Sequence, residues 1–191
     1  MGIGPEAAPL AYTLLIVTTL ASLYGLMMDR GFVAQGVFNV GAVRAGQYHR
    51  MVTPAFLHAD LGHLLVNMLT LYFFGPAVEV MYGTMGLLVI YMGSQLTAQA
   101  YTLYRKRGEP DYNALGASGA VSGVVLAFCI REPNAMLYLF FAIPMPAWVF
   151  GAGYIAYSSF AMGGKGRIAH EAHLGGAVGG AVLALLLGGA G

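Results

Sequence analysis

Long apolar stretches, each close to the length of a membrane-spanning helix, dominate the chain. A helix needs roughly 20 apolar residues to cross a bilayer, and short polar or glycine-rich breaks divide the chain into six stretches of about this size. They predict spans over residues 10–28, 61–80, 85–103, 115–130, 135–160 and 169–187. Pro144 and Pro146 are expected to kink or split the fifth span, because proline cannot continue a regular helix.

The segment between the first two spans, residues 29–60, has a different pattern. It mixes apolar residues with Arg30, Arg44, His49, Arg50, His58 and Asp60. It is too polar to span a membrane and too apolar for a free loop, so we predict an interfacial loop with short amphipathic pieces. The predicted fold class is an all-α polytopic membrane protein, with residues 1–191 forming one domain of six spans. In that topology the loops that precede spans two, four and six lie on one face.

Composition agrees with the membrane class. Charged residues make up 9% of the chain and hydrophobic residues 58%, whereas soluble domains are about 25% charged. We expect the lipid bilayer as a partner and no nucleic acid, and the sequence carries no signal for an oligomeric state. The single cysteine, Cys129, excludes an internal disulfide and a cysteine metal cage. The N-terminal sequence MGIGPEAAPL lacks a basic region, so we expect no cleavable signal peptide.

The rarest polar residues within the spans mark a candidate site. Polar side chains inside a membrane are costly and are therefore functional candidates. His63, Asn67, Ser118 and His173 lie near the starts of the three spans that open on the same face. His63 and Asn67 are four residues apart and share a helix face, where they could also act as hydrogen-bonding contacts between helices. Ser118 could equally be a simple helix N-cap.

Small residues predict that spans four and six pack closely. Gly119 and Gly123 repeat at a spacing of four, as do Gly176 and Gly180, and such pairs let helix backbones approach each other. At that separation a ring nitrogen of His173 can reach the Ser118 hydroxyl, which is the geometry that activates a serine nucleophile. Packing alone explains the glycines but not a histidine in register with them.

A serine nucleophile also needs donors for the negative charge that develops on the substrate oxygen. The backbone N–H of Ser118, at a helix N-terminus, is one free donor. His63 and Asn67 could supply side-chain donors.

The stretch IAHEAHLGG, residues 168–176, approaches the HExxH zinc motif. His170 and His173 are three apart rather than four, and Glu171 lies on nearly the opposite face from His173. Since the neighbouring spans offer no second carboxylate, we predict no metal and no cofactor. His170 is expected at the membrane interface one turn above His173, and Glu171 is expected to be a solvated or helix-start carboxylate.

With these residues in place, the chain resembles the rhomboid family of intramembrane serine proteases over roughly residues 45–187. The matching pieces are His63-x3-Asn67, Gly116-x-Ser118-Gly119, Ala172-His173-x2-Gly176-x3-Gly180, Phe56-Leu57-His58, Arg50 and Ala77-Val78-Glu79. The resemblance implies a six-helix bundle with a partly submerged first loop. It implies Ser118 as nucleophile, His173 as general base and His63 and Asn67 as oxyanion-stabilising residues, in a dyad without an acid.

By the same resemblance, the substrates are transmembrane segments of other proteins, and spans two and five flank the lateral entrance. The chain departs from the family at Ser122, where an aromatic ring often stacks on the histidine, and at His49, where a Trp often precedes the loop arginine. The alternatives are a catalytically inactive relative that binds membrane clients, and a small transporter or channel. Against a transporter, the halves show no inverted repeat.

The membrane orientation has two competing predictions. Eight of the nine Lys and Arg residues lie in the loops after spans one, three and five, and the positive-inside rule makes those loops cytoplasmic. The bacterial family pattern instead places the active-site loops outside and the N-terminus inside, and we favour that topology. The expected location is a bacterial-type cell (inner) membrane.

Overall fold

The computed structural model describes residues 3–139, 142–161 and 169–188. Within these ranges the helices are α1 (Pro9–Met27), α2 (Arg30–Gly36), α3 (Val40–Arg44), α4 (Leu61–Arg105), α5 (Ser118–Arg131), α6 (Ala147–Phe160) and α7 (His170–Leu187). Two short 3₁₀ turns, Tyr48–Met51 and Thr53–Phe56, lie between α3 and α4. The strands are β1 (Phe38–Asn39), β2 (Asn113–Ala114), β3 (Met136–Leu139) and β4 (Ile143–Pro146).

Three of the described helices, α1, α4 and α7, are long and apolar enough to cross a membrane. Large apolar side chains such as Leu20, Leu65 and Leu186 point outward from them. Polar side chains such as Ser94 and Gln95 are fully buried between the helices. An apolar exterior of this extent is typical of a protein surrounded by lipid.

Helix α4 is interrupted near its middle at Gly83. The helix has 45 residues, and Gly83 adopts φ 74 and ψ 167, a left-handed backbone conformation that glycine accepts and other residues avoid. The break coincides with the turn expected between the second and third spans. Helices α5 and α6 have 14 residues each, fewer than an ordinary span needs. The count of six spans therefore stays a prediction.

The predicted fifth span, residues 135–160, is wrong in its first part. Met136–Leu139 and Ile143–Pro146 form an antiparallel hairpin, and the helix begins only at Ala147. Pro144 and Pro146 explain the difference, because proline has no backbone N–H and a fixed φ. Both properties are tolerated in a short edge strand. The predicted loop of residues 163–167 lies outside the described residues.

A buried carboxylate holds the start of α1. Pro9 has no N–H, and the next two N–H groups, of Leu10 and Ala11, donate to Glu79 at 3.1 and 2.7 Å. The Thr84 hydroxyl also donates to Glu79, at 2.8 Å. The first N–H groups of a helix lack intrahelical partners and carry partial positive charge. Glu79 therefore fixes the start of α1 beside the break in α4.

The first loop consists of short elements, as predicted, and is connected to the start of α5. Arg50 Nη1 donates to the carbonyls of Ala34 and Val37 at 2.9 and 2.8 Å, which closes the loop on itself. Strand β1 pairs with β2 in antiparallel register. Since β2 ends only four residues before α5 begins, this pairing fixes the approach to α5.

Helix α5 lies at the centre of the bundle, between α4 and α7. Most of its residues are buried. A helix of 14 residues is about 21 Å long, whereas the apolar part of a bilayer is about 30 Å thick. Helix α5 is therefore shorter than the apolar part of a bilayer.

Candidate active site

Helices α5 and α7 are in direct backbone contact along one face of each. A Cβ atom added to Gly176 would overlap the carbonyl of Gly119, and a Cβ on Gly180 would overlap the backbone of Gly123. The close packing predicted from the glycine spacing is confirmed. No residue larger than glycine fits at these two crossing points without separating the helices.

This contact places the turn that contains Ser118 beside the turn that contains His173. Ser118 is the first residue of α5 and is half-buried, and His173 lies in the first turn of α7. The carbonyl oxygen of Ala172 lies 3.5 Å from the Cβ position of Gly119, the residue after the serine. Among the described residues, no hydrogen bond joins Ser118 to the His173 ring.

His58 holds the loop that leads into Ser118. The backbone N–H of Ala117 donates to His58 Nε2 at 3.3 Å, and His58 Nδ1 lies 2.9 Å from the Ser22 hydroxyl. Ser22 in turn donates to the Phe56 carbonyl at 3.1 Å, so Nδ1 carries the proton and donates to Ser22 Oγ. The ring is neutral in this arrangement. Burial first, and then the neighbouring charge of His63, lower the pKa of His58 from 6.5 to about 3, against the opposing effect of Asp60.

His63 lies against the same loop. Its ring packs edge-on to His58, with centroids 5.0 Å apart. A Cβ on Gly116 would overlap this ring, and Gly116 has φ 125. Glycine is therefore required at this position both for its backbone conformation and for space. The structure thus brings His63 to within two residues of Ser118 along the loop backbone.

Asn67 lies one turn further along α4 and is buried. Its amide nitrogen donates to the His63 carbonyl at 2.9 Å, within its own helix. An amide nitrogen has two N–H groups, so this bond leaves one of them for another acceptor. His63 and Asn67 share a helix face, as their spacing predicts.

Tyr154 in α6 has a ring that packs on His173, and the sequence did not predict this contact. The two rings are stacked, with centroids 6.3 Å apart and planes inclined by 19°. The Tyr154 hydroxyl lies 2.5 Å from the Ser122 hydroxyl. The resemblance gave no such ring for this chain, because Ser122 stands where the family often has an aromatic residue. The only sequence signal for Tyr154 is its spacing of four from Phe150 and three from Tyr157 on one face of α6.

His170 and Glu171 are both buried at the start of α7. His170 is 9% exposed, and its ring makes edge contacts with Tyr157 at 5.5 Å and His173 at 6.0 Å. Glu171 is 5% exposed and pairs with Lys106 at 3.7 Å. It lies at the helix start, as expected, but it is not solvated, because α7 packs against the end of α4 at this point. The described residues contain no group of three or more His, Cys, Asp or Glu side chains suited to a metal.

These features define a class: a helical integral membrane protein with a serine and a histidine at the contact between two buried helix starts. Comparison of the sequence with known protein families identifies the family. Residues 45–190 match the family described as Rhomboid domain, and the chain belongs to the rhomboid family.

Several curated proteins are similar to the chain. RHOMBOID-like protein 12, mitochondrial, of Arabidopsis thaliana is 35% identical over 150 residues, which cover 70% of this chain and 45% of that protein. Rhomboid protein 1, mitochondrial, of Saccharomyces cerevisiae is 33% identical over 67% of this chain and 38% of its own length. Rhomboid protease GluP of Bacillus subtilis is 31% identical over 82% of this chain and 29% of its own length. The matches thus span less than half the length of these relatives.

Proposed function

We propose that the chain is an intramembrane serine endopeptidase that cleaves transmembrane segments of other membrane proteins. In this proposal Ser118 is the nucleophile and His173 the general base. The observation that carries it is the backbone contact of Gly119 with Gly176 and of Gly123 with Gly180. A contact this close brings the turn that carries the serine next to the turn that carries the histidine, and this supports the proposed pair.

The proposed reaction follows from the groups present. His173 accepts the Ser118 proton as Oγ attacks the scissile carbonyl carbon, and it then returns a proton to the leaving amine. Water hydrolyses the resulting acyl-enzyme with His173 again as base. The negative charge on the carbonyl oxygen would be stabilised by the Ser118 backbone N–H and by side-chain donors of His63 and Asn67. Each such donor is worth about 2.7–4 kcal/mol in a serine protease.

The membrane context supports a substrate that is itself a helix. The apolar exterior leaves the bilayer as the medium from which a substrate reaches the site. Peptide hydrolysis at depth requires an unwound substrate backbone, because intact helical N–H and C=O groups are hydrogen-bonded to each other. We further propose a location in a bacterial-type cell (inner) membrane, while the named relatives include mitochondrial proteins.

The decisive experiment compares purified variants on a model transmembrane substrate. Ser118→Ala and His173→Ala should each lower cleavage by roughly 10³-fold or more while the protein remains folded. Fluorophosphonate labelling of Ser118 should vanish in the serine variant. His170→Ala is the matched control, since it removes a neighbouring buried histidine and should leave substantial activity. Unchanged cleavage in Ser118→Ala would refute the proposal, and a folded wild type that never labels would favour the inactive, client-binding alternative.

A further inference from the structure

An unbroken series of aromatic rings joins α6 to α7. Phe150 stacks on Tyr154 with centroids 6.4 Å apart, and Tyr154 stacks on His173. His173 makes an edge contact with His170, which makes another with Tyr157. The three α6 residues occur at positions i, i+4 and i+7, which is one face of a helix. The α6–α7 interface therefore consists largely of ring contacts, and His173 lies within it.

No carboxylate in the described part of the chain pairs with His173, so the orientation of its ring depends on other contacts. In a three-residue serine protease site, a carboxylate bonds the far nitrogen of the histidine and fixes the ring. Among the described residues, neither ring nitrogen of His173 has a hydrogen-bond partner. The ring is instead in contact with the rings of Tyr154 and His170. Tyr154 covers one face, and an offset stacked pair at this distance is attractive.

Tyr154 also reaches the serine side of the site. The Ser122 hydroxyl donates to the Ser118 carbonyl at 2.5 Å. Since a serine hydroxyl has one proton, the Tyr154 hydroxyl must be the donor in its 2.5 Å contact with Ser122. The chain of donors runs from Tyr154 through Ser122 to the backbone of Ser118. Tyr154 thus touches the histidine with its ring and Ser122 with its hydroxyl, while the bond from Ser122 to the Ser118 carbonyl lies within α5.

We propose that Tyr154 is a positioning residue that sets the plane of the His173 ring from α6 and holds it in register with Ser118. It takes the place of the aromatic residue that the family often has four residues after the serine, where this chain has Ser122. The inference rests on the proposed function, because it assigns Tyr154 to the orientation of that base. If Tyr154 has this role, the reactivity of Ser118 depends on the position of α6.

The test measures the rate at which a fluorophosphonate labels Ser118, which needs an oriented base but no transmembrane substrate. Tyr154→Ala should lower this rate by about tenfold or more, since a misplacement of about 1 Å can cost on the order of 10²-fold. Tyr154→Phe keeps the ring and should stay within about threefold of wild type on the same geometric argument. Tyr157→Ala is the matched control, because it removes an α6 tyrosine whose ring contacts His170 and not His173.

A rescue variant separates positioning from a general structural role. In Tyr154→Ala combined with Ser122→Tyr, the ring is supplied from α5, and the labelling rate should recover at least in part. Melting temperatures in detergent are measured for every variant. Where Tyr154→Ala lowers the melting temperature, Tyr154→Leu decides, because it keeps most of the volume but not the planar face. Tyr154→Leu should then label as slowly as Tyr154→Ala.

The possible failures are distinguishable. Equal labelling rates in Tyr154→Leu, Tyr157→Ala and wild type would overturn the positioning role and leave the proposed protease function standing. A folded wild type in which Ser118 never labels would overturn both.

Discussion

The direct contact of α5 with α7 makes one substitution unusually informative: Gly180→Ala. The added Cβ would overlap the backbone of Gly123, which cannot rotate away as a side chain could. Two carbon atoms in ordinary contact are about 3.5–4.0 Å apart, so the helices must separate by on the order of 1 Å. The matched control is Gly153→Ala in α6, where nothing lies within 4 Å of the new Cβ.

The two substitutions should change the free energy of unfolding in opposite directions. Forcing an extra methyl group into a well-packed interior costs about 1–3 kcal/mol of unfolding free energy. At Gly153 the same exchange removes an exposed helical glycine, which gains up to about 1 kcal/mol. The unfolding free energies of the two Gly→Ala variants should therefore differ by about 1–4 kcal/mol, although each adds one methyl group to a helix.

Unfolding in mixed detergent micelles, followed by circular dichroism, measures the free energies. The rates of substrate cleavage and of Ser118 labelling report on the geometry of the site. Both rates should fall by about 10²-fold in Gly180→Ala, because the helix separation moves Ser118 away from His173. A Gly180→Ala protein as stable and as active as Gly153→Ala would refute the reasoning, since it would mean that the backbones are not in contact at Gly123.

Two further predictions concern the loop before α5 and the attachment of α6. The pKa of His58 is about 3 in the folded protein, below its ordinary value of 6.5. The unfolded chain therefore binds more protons below about pH 6.5. The free energy of unfolding should fall as the pH drops, by about 2 kcal/mol at pH 5. His58→Gln should flatten the pH dependence of unfolding free energy in detergent between pH 7 and 5, and an unchanged slope would contradict this. A Cβ on Gly151 would lie 3.3 Å from that of Cys129, close to the roughly 3.5–4.5 Å of a disulfide, so Gly151→Cys should oxidise and fasten α6 to α5. The family resemblance implies that substrates enter beside α6. If entry requires α6 to move, oxidation should abolish cleavage reversibly but leave Ser118 labelling intact. Full cleavage by the oxidised protein would count against such movement.

The parts of the structure that follow a short sequence period were predictable. The contact of Gly119 with Gly176 and of Gly123 with Gly180 follows from spacing, because a repeat of four residues defines one helix face. The break at Gly83 was predictable for a similar reason, since a local group of turn residues interrupts an apolar stretch. These features depend on neighbours along one helix, which a sequence displays directly.

The missed features depend on partners that are distant in the chain. Glu171 is buried because Lys106, at the end of α4, lies 3.7 Å from it. Tyr154 stacks on His173 only because α6 packs beside α7, and neither spacing nor composition indicates which ring meets which. The start of α6 was misplaced because the apolar composition of residues 136–146 suits a strand and a span equally well, and the prolines decide between them.

The site combines two kinds of contact that should respond differently to perturbation. The backbones of α5 and α7 touch at glycines, where no side chain can adjust. The separation of the helix starts that carry Ser118 and His173 therefore depends on core packing. Helix α6 buries only Ala147, Gly151 and Ser158 among its described residues, and it meets His173 through the ring of Tyr154. In the proposed site, the glycine backbone contact sets the separation of the two helix starts, and a lightly buried helix orients the proposed base. It follows that Gly180→Ala should lower stability and labelling together, whereas Tyr154→Phe and Tyr154→Leu should differ in labelling far more than in stability.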